Sequence, residues 1–185
     1  WNNVDMATLS SHKIGGPPGV GALILKPDIP FTSPIKGGGQ ERDLRSGTEA
    51  IPLILGFVAA AEEALSDNHQ SHLRKCALWQ QQMEKTILET APGARIFSQK
   101  AKKRLPQTSL IAMPNVSNDL QMMTFDMKGC AVSTGSACFA GANEPSETLR
   151  AMGVSKEEIG NSLRVSMGWQ TNEKDIEYFT KLWQE

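Results

Sequence analysis

The residues in this sequence whose types and spacing could do chemistry fall in four places. The first is Ser10-Ser11-His12-Lys13, followed closely by Gly15-Gly16-Pro17-Pro18-Gly19. A lysine that forms an imine needs a pocket that lowers its pKa and holds its aldehyde partner. Hydroxyl and imidazole neighbours suit a bound phosphate, and the glycines let backbone approach closely. A lysine alone is most often a solvated surface charge, and phosphate loops share this composition. The segment by itself therefore leaves those readings open.

The second place is Gly37-Gly38-Gly39-Gln40-Glu41-Arg42-Asp43-Leu44-Arg45-Ser46-Gly47-Thr48. A glycine-rich loop that enters a helix N-terminus offers free N–H groups and a favourable dipole to an anion. An ordinary polar loop before a capped helix reads the same way. The third is Ser133-Thr134-Gly135-Ser136-Ala137-Cys138. A reactive thiol needs exposure and thiolate character, which a small-residue segment permits. Buried structural cysteine is commoner, and Cys76 and Cys130 fit that description better. The fourth is Arg164 in Ser162-Leu163-Arg164-Val165-Ser166. A guanidinium is the preferred bidentate partner of a carboxylate. Strand alternation puts Leu163 and Val165 on one face and Arg164 on the other. An exposed arginine on a half-buried strand is the plainer alternative.

These residues need elements to position them. Residues 4–9 alternate like the end of a strand, and Val20–Leu25 reads as a buried strand. Residues 26–47 have loop composition. A helix is expected from near Thr48, with Thr48 as N-cap and Pro52 in its first turn. It is apolar nearly all round as far as Ala64, so burial on more than one side is expected. The composition turns polar at Ser66–Ser71, which places a domain boundary there. A second helix carries Leu73, Cys76, Met83 and Ile87 and stops before Pro92-Gly93.

Strands are expected at 95–98, 108–113, 132–133 and 163–167, and helices at 117–127, 145–152 and 172–185. A capping box at Ser155-Lys156-Glu157-Glu158 adds another helix start. Mixed strands and helices indicate an α/β or α+β fold. At 185 residues the chain can bury a real core. Net charge of −1 gives no reason to expect nucleic acid or an anionic membrane as partner. No apolar run approaches a membrane span. Three cysteines without C-x-x-C spacing suggest neither disulfides nor a zinc knuckle, so a reducing compartment such as the cytoplasm is expected. The chain opens on Trp1 and runs straight into a motif, as a piece cut from a larger polypeptide would.

In this order the four places match one family. Ser10-x-His12-Lys13-x-x-Gly16-Pro17-x-Gly19-x-Gly21 resembles the pyridoxal-phosphate lysine segment of cysteine desulfurases, within the class V aminotransferase-like enzymes. Gly37–Arg42 with Arg45-Ser46-Gly47-Thr48 resembles the next block. Gly135-Ser136-Ala137-Cys138, then Glu144-Pro145-Ser146 and Leu149–Gly153, resembles the active-cysteine loop and its following helix. Ser162–Ser166 resembles the strand of the substrate-carboxylate arginine. Ile14-Gly15 and Asp43 depart from the pattern without removing a functional group.

The resemblance implies fold type I of the pyridoxal-phosphate transferases. Residues 1–66 would end the large cofactor-binding domain, and residues 67–185 would form the small carboxy-terminal α+β domain, the part expected to fold independently. Lys13 would be the Schiff-base lysine holding pyridoxal 5'-phosphate, with Ser10 and His12 on its phosphate. Thr48 would reach the cofactor phosphate of the second subunit of a homodimer. Arg164 would bind the carboxylate of L-cysteine. Cys138 would take the sulfur as a persulfide, pass it to a sulfur-acceptor or iron–sulfur scaffold protein, and act as a transient iron–sulfur ligand. The family's amino-terminal region, which supplies further cofactor contacts, is missing from these residues, so the chain alone is expected to be inactive. The competing readings are a selenocysteine lyase or class V aminotransferase, in which Cys138 discriminates, and a non-catalytic fragment that dimerises or binds partners.

Overall fold

The computed structural model describes residues 3–134 and 146–185. They form two compact units, residues 1–70 and 71–185.

In the first unit, β1 (Met6–Ser10) pairs antiparallel with β2 (Gly21–Leu25), with Ser10 opposite Gly21. A 3-10 turn, Ser11–Ile14, follows β1 directly. The 26–50 segment is irregular except for a tight turn at Gln40–Asp43. Then comes α1 (Ile51–Leu65). Its first turn accepts Pro52 because that N–H needs no helical partner. Its N-cap is Ala50, without any side-chain cap. The expectation that Thr48 caps this helix is thus incorrect: the chain turns tightly at Ala50, where the Ile51 N–H donates to the Glu49 carbonyl at 2.9 Å, and the helix starts on apolar residues instead. Ser66 breaks the helix, and its hydroxyl accepts from the His69 N–H at 3.1 Å. The polar stretch expected to mark a domain boundary is the capped start of α2 (Asp67–Thr90).

The first unit buries no apolar side chain among its described residues; its buried side chains are Ser11, Ser33 and Ser46. Burial of α1 on several sides does not occur. Leu55 is 62% and Leu65 80% exposed. Strand β2 is likewise half-open, with Leu23 exposed. A two-stranded ribbon and one helix bring too little apolar surface together to close a core.

The second unit has one. Antiparallel strands β3 (Arg95–Ile96), β4 (Thr108–Ala112) and β5 (Ser162–Ser166) form a sheet in the order β3-β4-β5. The register sets Ile111 against Leu163 and Leu110 against Arg164. One face carries Ile111, Leu163 and Val165. It packs against Cys76, Met83 and Ile87 of α2, Phe125 of α3 (Asn118–Met127), and Ile176, Phe179 and Trp183 of α6 (Glu173–Gln184). Phe125 and Phe179 stack at 5.0 Å between centroids, which adds to their area burial. On the other face Ala112 packs with Phe97, with Leu149 of α4 (Glu147–Ala151) and with Ile159 of α5 (Lys156–Gly160). Ser117, Ser146, Ser155 and Asn172 each accept a backbone N–H at a helix start, so local sequence sets these boundaries. The strand expected at Val132–Ser133 is a single bridge, Ser133 to Arg164.

A polar clamp joins α2 to the 98–107 loop. Glu84 accepts both guanidinium nitrogens of Arg104, at 2.9 and 2.5 Å, and the Ser109 hydroxyl at 2.6 Å. Gln80 Nε2 donates to the carbonyls of Leu105 and Thr108. The bonds to Glu84 hold the Arg104 guanidinium above its already high ordinary pKa.

Candidate functional site

Lys13 sits in the turn that closes the β1–β2 ribbon. Ser10 ends β1 in extended conformation, and the chain tightens immediately into the 3-10 turn. The Ser11 N–H donates to the Val20 carbonyl at 3.2 Å, and the Gly16 N–H donates to the Ser11 carbonyl at 3.0 Å. Gly15 ends the turn at φ 90°, a left-handed conformation open to glycine at little cost. A Cβ on Gly16 would meet Ser11 Oγ at 2.2 Å and Ala60 Cβ at 3.2 Å, so only hydrogen fits there. Ser10, His12 and Lys13 are exposed on this pinned turn, while Ser11 is fully buried. The Ser11 hydroxyl has no hydrogen-bond partner among the described residues. The motif Ser10-Ser11-His12-Lys13 did not reveal that it divides into one inward serine and three outward groups.

That donor set fits pyridoxal phosphate in part. An amine able to meet an aldehyde stands beside a hydroxyl and an imidazole able to meet phosphate oxygens. All three are accessible on a turn with a fixed backbone.

Thr48 is exposed in the segment before α1 and lines an open recess of about 750 Å³. Arg45, Glu41 and Leu23 share that lining; Ser10, His12 and Lys13 do not. The loop leading to Thr48 is strained. Glu41, Arg42 and Asp43 lie at φ 50°, 57° and 64°, three successive non-glycine residues in the left-handed region. Each such residue costs on the order of 1–3 kcal/mol, and such strain gathers at binding sites. Ser46 holds the loop by donating its hydroxyl to the Gly38 carbonyl at 2.7 Å, and Arg45 Nη1 donates to the Ser46 carbonyl at 2.6 Å.

Arg164 lies in the middle of β5, on the face opposite Leu163 and Val165. Among the described residues its guanidinium, half-buried, has no carboxylate or other hydrogen-bond acceptor. Its backbone pairs on both sides. It faces Leu110 on β4, and it exchanges two hydrogen bonds with Ser133, at 3.1 and 2.6 Å. Ser133 thus anchors the start of the segment that carries Cys138 onto the strand that carries Arg164. Cys138 itself lies outside the described residues. Cys76 is fully buried and Cys130 partly so, and desolvation raises both thiols above the ordinary cysteine range. Neither suits a nucleophilic role.

No group of His, Cys, Asp and Glu able to hold a metal ion occurs among the described residues, and no described helix is long and apolar enough to cross a membrane.

Comparison with known proteins gives these positions a family. The chain is 40% identical over 174 residues to a cysteine desulfurase of Cereibacter sphaeroides, covering 94% of this chain and 44% of the relative. It is 37% identical over 185 residues to the cysteine desulfurase IscS of Anaeromyxobacter dehalogenans, covering 99% and 45%. The solved NifS-like protein of Rickettsia africae superposes with a TM-score of 0.79 at 36% identity, over 98% of this chain and 47% of that one. The chain spans less than half the length of these relatives. The mixed α/β architecture expected from the sequence is the one this match shows. The aminotransferase class-V model matches residues 2–179, nearly the whole chain, so this chain belongs to the class-V aminotransferase family.

Proposed function

We propose that this chain is the carboxy-terminal part of a pyridoxal-phosphate cysteine desulfurase. The observation that carries this reading is the pairing of Arg164 with Ser133. It pairs the backbone of an arginine whose guanidinium has no acceptor among the described residues with Ser133, which precedes a cysteine among small residues in the sequence.

Lys13 holds the cofactor, and Ser10 and His12 donate to its phosphate. When bound, pyridoxal phosphate supplies an electron sink for the substrate α-carbon. Arg164 grips the carboxylate of L-cysteine through two N–H donors and fixes the amino acid's orientation. Lys13 moves the proton at the α-carbon. The Cys138 thiolate attacks the substrate sulfur. A sulfur–sulfur bond forms and the carbon–sulfur bond breaks, its electron pair remaining on the substrate carbon. That carbon takes up a proton and leaves as L-alanine, while the sulfur stays on Cys138 as a persulfide. Transfer to an acceptor or iron–sulfur scaffold protein follows, with Cys138 as a transient ligand.

That Thr48 lines a recess to which Ser10, His12 and Lys13 do not contribute supports a homodimer in which Thr48 serves the second subunit's cofactor. That no apolar side chain is buried among the described residues of that unit supports inactivity of the chain alone. Free Cys76 and Cys130 suit a reducing compartment such as the cytoplasm. Residues 1–66 are assigned to the large domain and 67–185 to the small one.

The test uses the full-length polypeptide with L-cysteine. Wild type yields alanine and a Cys138 persulfide detectable by mass. Cys138→Ser keeps the visible imine band on Lys13 and forms neither. Sulfur release unchanged in Cys138→Ser sinks the proposal in favour of a lyase that needs no protein thiol. Transamination by both forms favours an aminotransferase.

A further inference from the structure

We propose that the groove between α2 and the 98–107 loop binds an acidic, partly apolar segment of another protein. This rests on the surface alone and stands apart from the reaction proposed above.

The groove encloses about 660 Å³. Ala77, Leu88, Ala101 and Pro106 give it apolar contacts among the Gln80, Gln81 and Gln99 amides and the paired Glu84–Arg104 and Lys85–Glu89 side chains. Leu105, beside it in the chain, is 65% exposed. Charge on its loop side is one-sided. From Thr90 to Asn118 there is no Asp or Glu, while Arg95, Lys100, Lys102, Lys103 and Arg104 all fall there. Arg95 is answered by Glu158 at 2.7 Å and Arg104 by Glu84. Lys100, Lys102 and Lys103 are exposed and have no carboxylate within ion-pair distance among the described residues. On the α2 rim, Lys85 and Glu89 answer each other at 3.8 Å. Uncompensated charge thus belongs to the loop.

The loop is also held. The Glu84–Arg104–Ser109 clamp and the two bonds from Gln80 fix it against α2. Ser98 at φ 56° opens the loop. Three lysines on this held loop, next in sequence to the groove-lining Gln99, Ala101 and Arg104, meet an acidic segment at low ordering cost. A nucleic acid is the poorer occupant. It would want stacking rings, yet Phe97 is buried and lies under Arg95. The chain as a whole carries a net charge of −1.

Fluorescence anisotropy on the full-length polypeptide tests this. The probes are a fluorescein-labelled peptide alternating Glu pairs with Leu, the same peptide with Gln for Glu, and a labelled single-stranded oligonucleotide. The Glu/Leu peptide should bind, and the Gln version should bind at least about tenfold more weakly. Lys100→Glu/Lys102→Glu/Lys103→Glu should lose at least about tenfold in affinity. The Lys→Gln triple variant should shift the same way by less. Leu88→Gln should weaken binding several-fold at unchanged salt dependence. No binding of the Glu/Leu peptide, equal binding by the Lys→Gln variant, equal binding of the Gln peptide, or tighter binding of the oligonucleotide would each overturn the proposal.

Discussion

Replacing Arg104 with Met should destabilise the second unit more than any other single surface-reaching change. The Glu84 side chain is 5% exposed and that of Arg104 17%. Glu84 holds Arg104 by two bonds and Ser109 by one. Arg104→Met leaves a buried carboxylate with Ser109 as its remaining partner. Breaking one side of such a pair costs about 3–5 kcal/mol. With a urea slope of about 2 kcal/mol per M, the midpoint should fall by about 2 M. Trp79 on α2 and Trp183 on α6 report the transition by fluorescence. The triple variant Glu84→Met/Arg104→Met/Ser109→Ala removes all three polar groups together and should return to within about 1–2 kcal/mol of wild type. The coupling should survive high salt, because a buried pair is weakly screened. A loss below about 1 kcal/mol in Arg104→Met, or a triple variant as unstable as the single, would refute the view of this clamp as a buried, mutually dependent unit.

Two further outcomes follow from the site. Cys76 and Cys130 have thiol pKa values raised by desolvation, so both are protonated at neutral pH; iodoacetamide with peptide mass analysis should label Cys138 first and Cys76 last, with labelling of the buried pair rising only as pH climbs past the ordinary thiol range. Gly16→Ala should disturb the Lys13 turn by about 1–3 kcal/mol, because its Cβ collides with Ser11 Oγ. Ser11→Ala removes that oxygen, which has no partner to lose, and should rescue most of the damage as read by hydrogen exchange at the Gly16 amide.

Several parts of this protein were legible in the sequence because they rest on short-range rules. Alternation around Leu163 and Val165 gave the buried face of β5 and set Arg164 opposite. Ser117 and Ser155 marked helix starts through their own hydroxyls. The apolar face of α2 followed from 3.6-residue spacing. Motif order pointed to the family, since a lysine turn, a glycine loop, a small-residue cysteine segment and an arginine strand rarely occur in succession.

Other parts depended on contacts that no local window contains. Apolar content alone suggested a buried α1, yet burial all round requires surfaces on several sides, and the first unit offers the turn of Gly16 and Pro17 against Gly56 and Ala60 without closing the rest. Thr48 had the right type for an N-cap, but Pro52 and the apolar run fixed the helix start at Ile51. The inward turn of Ser11 needs the space left by Gly16, a residue that approaches it only once the turn has formed. Glu84, Arg104 and Ser109 sit on three separate elements, so their clamp had no sequence signal beyond charge. Most consequential is the bond pair between Ser133 and Arg164. Sequence supplied the types, a guanidinium and a thiol-bearing segment, because side-chain chemistry is local. Tertiary structure paired the Ser133 and Arg164 backbones, because strand pairing is decided by the backbone partners that a folded sheet makes available.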